Sequence, residues 1–150
     1  DRQPTEPSDV LLASDGRRDF SKRAVAQAAA LAGSGHVSVV TIAKIHGSQF
    51  GIPHPGLLPN KQELDDRQRW VERAIKELRR RGAQADGQVA ATRKARKKIA
   101  GIARVRGVRT IVIDETPETG LRRMIEGDLG KDLGRKLRKD GIAVEIVPRA

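Results

Sequence analysis

The chain has 150 residues, 37% of them apolar and 33% charged, with a formal net charge of +11, which points to one polar, basic domain. It contains no cysteine, which excludes disulfides and thiolate chemistry and agrees with a cytoplasmic setting. No apolar run approaches the roughly 20 residues of a membrane span, and the opening Asp1-Arg2-Gln3-Pro4 is not a signal peptide. A first residue other than Met leads us to expect a processing boundary there, or a domain cut from a longer chain.

Residues 1–8 include Pro4 and Pro7 and show no periodic pattern; they read as a flexible tail ahead of a single domain over 9–150. Asp9 to Ser14 is a short apolar run and predicts a buried strand, broken by Asp15-Gly16. Ser21 to Leu31 is Ala-rich, with Val25, Ala28, Ala29 and Ala32 at helical spacing, and Gly33, Ser34 and Gly35 stop that helix. Val37 to Ile45 is rich in β-branched residues and predicts a second strand. Residues 46–60 hold three prolines and three glycines and read as an irregular loop.

Leu64, Val71, Ala74, Ile75 and Leu78 mark one face of a long second helix that ends near Gly82. Ala85 to Ala91 predicts a third strand. Thr92 is placed to cap a third helix, whose buried stripe is Ala95, Ile99, Ile102 and Ala103. Val108 to Ile113 predicts a fourth strand. Leu129, Leu133 and Leu137 line a fourth helix, and Ile142 to Val147 predicts a fifth strand. Strict alternation of this kind argues an α/β fold, a doubly wound five-stranded parallel sheet with four helices on its two faces. With strand order 3-2-1-4-5, the ligand site lies beyond the carboxyl ends of the first and fourth strands, where the order reverses.

The segments VLLASDGRRDFSKRAVAQAAALA and VRTIVIDETPETGLRRMIEGDLGKDLGRKLRKDGIAVEIVP resemble the opening and the end of universal stress proteins. The resemblance covers nearly the whole chain in length and element order. ATP-binding members of that family carry G-x2-G-x9-G-(S/T) after the fourth strand. The same register here reads Asp114-x2-Pro117-x9-Gly127-Asp128, so the spacing persists while only Gly127 keeps its identity. Pro117 has no N–H to offer a phosphate, and its φ is fixed. Asp128 puts an acceptor-only anion where the family has a hydroxyl, and Asp114 and Glu115 add negative charge.

The resemblance therefore implies impaired ATP binding, with ATP or AMP disfavoured and no cofactor expected. It places Asp15 near a ribose and metal, although Asp15 equally suits a turn with Gly16. It places Ile42 near an adenine, although a plain core position is the simpler reading of Ile42. Arg122 and Arg123 either compensate in the phosphate loop or pair with nearby acids. The resemblance also implies a homodimer through the last strand, with Ile142, Val144 and Ile146 on one face.

His36, His46 and His54 form no metal-ligand spacing, and no serine sits in a nucleophile motif. The expected metal and catalytic sets are empty. Between Arg79 and Arg109 lie eleven Lys or Arg and one acid, Asp86. Arg93, Lys94, Arg96, Lys97 and Lys98 fall off the buried stripe of the third helix and could contact phosphates. With no Tyr, one Trp and two Phe, stacking platforms for single-stranded nucleic acid are missing, and a solvated basic face is the plainer reading. The expected function is a non-enzymatic, dimeric stress-response or regulatory protein. The alternatives are a nucleotide sensor taking AMP, a cyclic nucleotide or ATP, and a polyanion-binding protein acting through the basic face.

Overall fold

The computed structural model describes residues 7–45, 60–115 and 129–148. Residues 1–6 and nearly all of the loop expected at 46–60 lie outside them. In chain order the elements are β1 (Val10–Ser14), α1 (Lys22–Ala32), β2 (His36–Lys44), α2 (Lys61–Arg80), β3 (Gln84–Thr92), α3 (Ala95–Arg106), β4 (Thr110–Asp114), α4 (Leu129–Leu137) and β5 (Ala143–Val147). The five strands form one sheet in the order β3-β2-β1-β4-β5. Every pairing is parallel, with Val10 opposite Val37 and Thr110, and Thr110 opposite Ala143.

Side chains alternate across the sheet and divide the core in two. Val10, Leu12, Val37 and Val39 pack under α1 and α2 with Val25, Val71 and Leu78. Leu11, Val40, Ile42, Ile111 and Ile113 pack under α3 and α4 with Ile99, Ile102, Leu133 and Leu137. β1 is buried along its whole length, as a central strand covered on both faces must be.

Local chemistry sets the helix ends. The Ser21 hydroxyl accepts from the Ala24 N–H at 3.1 Å and starts α1. The Asn60 side chain accepts from the Glu63 N–H at 2.8 Å, while its own amide donates to the Glu63 carboxylate at 3.2 Å, and this reciprocal pair starts α2.

Four expectations shift. Ser8 belongs to the domain rather than to the tail. It is buried, its N–H donates to the Arg106 carbonyl at 2.9 Å, and its hydroxyl donates to the His36 carbonyl at 3.1 Å. Thr92 is the last residue of β3 rather than a helix cap, and its hydroxyl accepts from the Lys94 N–H at 3.1 Å. Arg93 and Lys94 therefore precede α3. Leu64 shares the helical face of Val71, Ala74 and Leu78 but is 39% exposed, in the first turn of α2.

Strands β4 and β5 also start later than their apolar runs. After α3, Gly107 turns left-handed and the Val108 N–H donates back to the Ala103 carbonyl at 3.2 Å. After α4 and a short 3-10 turn, Gly141 does the same and Ile142 bonds the Leu137 carbonyl at 3.3 Å. Each apolar residue closes a helix end before its strand begins. Ile142, expected on the last strand, thus sits just ahead of it.

Candidate functional site

The order reverses between β1 and β4, and the rim beyond that point is built from the loop after β1 and the ends of β2 and β4. Asp15 follows β1. Its carboxylate accepts from the Arg17 N–H at 3.0 Å and lies 3.7 Å from the Arg17 side chain, an Asx turn. Gly16, at φ +86, presses against β2: a Cβ there would meet the Ile42 carbonyl oxygen at 1.7 Å. Only glycine fits that approach and that φ.

Ile42 is 1% exposed, and its side chain packs into the core under α3 and α4. Its carbonyl is occupied from outside as well. Arg67 of α2 donates from Nε at 3.0 Å to that oxygen and from a terminal nitrogen at 3.0 Å to the Glu63 carbonyl. Trp70 lies under the Arg67 guanidinium at 5.4 Å from the ring centroid, a cation–π contact that helps hold it. Arg67 was not anticipated. A basic residue three positions before the chain's single Trp on one helix is the signal that marks it.

Asp114 closes β4. Its carboxylate accepts from the Ser21 N–H at 3.0 Å and from the Ser21 hydroxyl. Ser21 thus gives its proton to Asp114 while capping α1. The first turn of α1 carries no acid, so Asp114 supplies from β4 the negative charge that the positive helix end favours. Asp15, Ile42 and Asp114 all lie at the carboxyl end of the sheet, Ile42 with its side chain in the core. Pro117, Arg122, Arg123, Gly127 and Asp128 lie outside the described residues. Among the described residues no cluster of three His, Asp or Glu side chains could hold a metal ion.

A second concave region lies against the outer flank of α3. It is a groove of about 680 Å³ lined by Ile45, Ala91 and Thr92 at the strand ends, by Arg93 and Lys94, and by Lys97, Lys98, Gly101, Ile102 and Val105. Four of the five cations singled out in the sequence are therefore its border. Arg96 is not. No salt bridge engages Arg93, Lys94, Lys97 or Lys98 among the described residues. Their charges add to the positive end of α3, which has no side-chain cap.

The apolar floor was missed. Val105, off the buried stripe, is 62% exposed, and Gly101 lies in the helix interior. A glycine there costs about 1 kcal/mol relative to Ala, and no atom lies within 4 Å of where its Cβ would be. Packing does not require it.

Arg106, at the end of the same basic stretch, is 1% exposed. It donates to the Asp86 carboxylate at 2.9 Å, and His36 Nε2 lies 3.6 Å from the same carboxylate. The one acid of the stretch is spent on its one buried cation. Among the described residues, no helix is long and apolar enough to cross a membrane.

No family model matches the chain, and no curated protein does. Solved structures do match. A universal stress protein from Archaeoglobus fulgidus aligns at a TM-score of 0.66 with 18% identity, covering 94% of this chain and 93% of that one. One from Burkholderia pseudomallei aligns at 0.62 with 17% identity, covering 94% and 96%. A universal stress protein solved in complex with cAMP aligns at 0.64 with 14% identity, covering 97% and 100%. The fold is that of universal stress proteins.

Proposed function

We propose that this chain is a non-enzymatic regulatory protein on the universal stress fold, cytoplasmic and dimeric, whose nucleotide position serves internal bracing. The observation that carries this reading is the Asp114 carboxylate bound to both donors of Ser21. A group that closes the sheet rim onto α1 is committed before any phosphate arrives. Arg67 on the Ile42 carbonyl and Asp15 in its own turn support the same reading. No resident cofactor is part of it.

A nucleotide sensor is the second reading, favoured by the cAMP complex among the structural neighbours. The two differ in a calorimetric titration with ATP, AMP and cAMP, with and without Mg²⁺. Bracing predicts no site tighter than roughly millimolar, about −4 kcal/mol. A low-micromolar site for any of the three overturns it.

The dimer would form through β5, an edge strand with an open row of backbone donors and acceptors. Val144 and Ile146 are half-buried against the α3–α4 layer. Glu145, on the opposite face, accepts from Gln27 of α1 at 3.4 Å, which draws its charge inward and eases the approach of two copies. Light scattering at high micromolar concentration should return twice the chain mass; a monomer mass removes the dimer from the proposal.

A further inference from the structure

We propose that the groove beside α3 binds a single-tailed amphiphilic anion, of which a free long-chain carboxylate is the simplest. Its volume of about 680 Å³ falls in the range of small-molecule sites. Its two parts ask for different things. Arg93, Lys94, Lys97 and Lys98 form a cationic border with no acid in the lining. The floor between them is aliphatic, from Ile45, Ala91, Ile102 and Val105. A head of negative charge complements the first, and a chain of methylenes complements the second.

The same division argues against other occupants. A polyanion such as duplex DNA needs the cations but has no use for an apolar floor. A nucleobase would want an aromatic face, and none lines the groove. A lipid surface calls for apolar residues that protrude, whereas Ile102 is 5% exposed and Ile45 is half-buried. Of the lining, the small Ala91 is exposed, and Val105 is the one large apolar side chain that stands proud. Gly101 fits this picture because a side chain there would occupy the floor. The helix carries a glycine that packing does not demand, at a position that lines the groove.

The test is a calorimetric titration of the whole protein with dodecanoate, kept below its micelle concentration, in low salt. Saturable binding with one site per chain is expected. The combined variant Lys94→Gln, Lys97→Gln and Lys98→Gln should weaken it by about tenfold or more, since each removed cation leaves the head less compensated. Gly101→Leu should abolish binding while leaving the melting temperature unchanged or raised. Val105→Glu, at an exposed position, blocks the groove independently of any helix effect and should also abolish binding. Dodecanol should bind much more weakly than dodecanoate.

Absence of saturable binding overturns the proposal. So does dodecanoate affinity that survives both Gly101→Leu and Val105→Glu, or that dodecanol equals. Inorganic phosphate or a DNA duplex binding as tightly as dodecanoate would make the flank a polyanion surface instead. Capture by phosphatidylglycerol vesicles with no response to free dodecanoate would make it a membrane surface.

Discussion

Arg79 to Arg81 and Arg93 to Lys98 belong to one basic stretch of the sequence, yet they meet opposite fates in the fold. The first group closes α2. Arg79 donates to the Ala85 carbonyl at 2.9 Å, and Arg80 and Arg81 share the Glu77 carboxylate. Positive charge at a helix C-terminus also meets the favourable end of the dipole. The second group brackets the start of α3, where the dipole opposes it, and Arg93, Lys94, Lys97 and Lys98 find no acid among the described residues. Net charge in a sequence window thus says little about where an anion is wanted. What each cation faces decides that.

The largest expected effect separates the one inward cation of α3 from the outward ones. Asp86→Ala removes the carboxylate that faces the buried Arg106 guanidinium. Asp86 is itself 34% exposed, but deleting it leaves the buried Arg106 charge without that partner, at a cost of about 3 kcal/mol, and Ser38 and His36 lose a contact as well. The denaturant midpoint should fall accordingly. By contrast, Lys94→Glu, Lys97→Glu and Lys98→Glu together should change stability by less than about 1 kcal/mol, as unpaired surface charges do. Equal losses in the two variants would erase the distinction between paired and unpaired charge.

A middle-sized effect probes the engaged anion at the sheet rim. Asp114→Ala should cost about 2 kcal/mol, because the Ser21 hydroxyl and N–H both lose a charged acceptor. Asp114→Asn, which keeps one acceptor oxygen, should recover part of that. Chemical denaturation of the three proteins checks the order, and a fully stable Asp114→Ala variant would show that Asp114 does not brace α1.

The fold was legible because its signals are local. The apolar run VLLAS and the β-branched blocks VSVVTI, VRTIVI and AVEIV are strands almost where their composition puts them, and alternation with helices leaves few ways to wind the sheet. The sites were legible only in part, because their partners are distant. Nothing near Asp114 announces Ser21, 93 positions away. Helical spacing from Ile99 and Ile102 puts Arg106 on the buried face and Arg104 off it, but nothing nearby names Asp86 as its partner. Arg104 instead stays on the surface, paired with Asp140. Thr92 carries a cap-forming side chain, but the strand pairing of Thr92 with Lys44 claims its backbone first. The groove floor drew no attention because Val105 and Gly101 each look ordinary alone. Only the fold sets them beside Ile45 and Ala91.

The smallest expected effect tests pairing directly, on the acid of the engaged group. A hydrogen bond from Arg80 above all, opposed by desolvation and aided by a weaker bond from Arg81, holds the Glu77 carboxyl at about 2 against an ordinary 4.5. The folded value lies below the unfolded one. Glu77 therefore adds stability above about pH 4.5, and that contribution is lost as the pH falls toward 2. The pair is partly exposed, so salt should screen it. In a carboxyl-carbon NMR titration, Arg80→Ala should raise the Glu77 pKa most of the way toward 4.5, with Arg81 keeping it somewhat below. Lys94→Ala should leave it where it is. If Arg80→Ala does not move Glu77, the arginines of α2 are not neutralised by that carboxylate. They would then be as available to an anion as the lysines of α3, and the contrast between the two groups would have to rest on the helix dipoles alone.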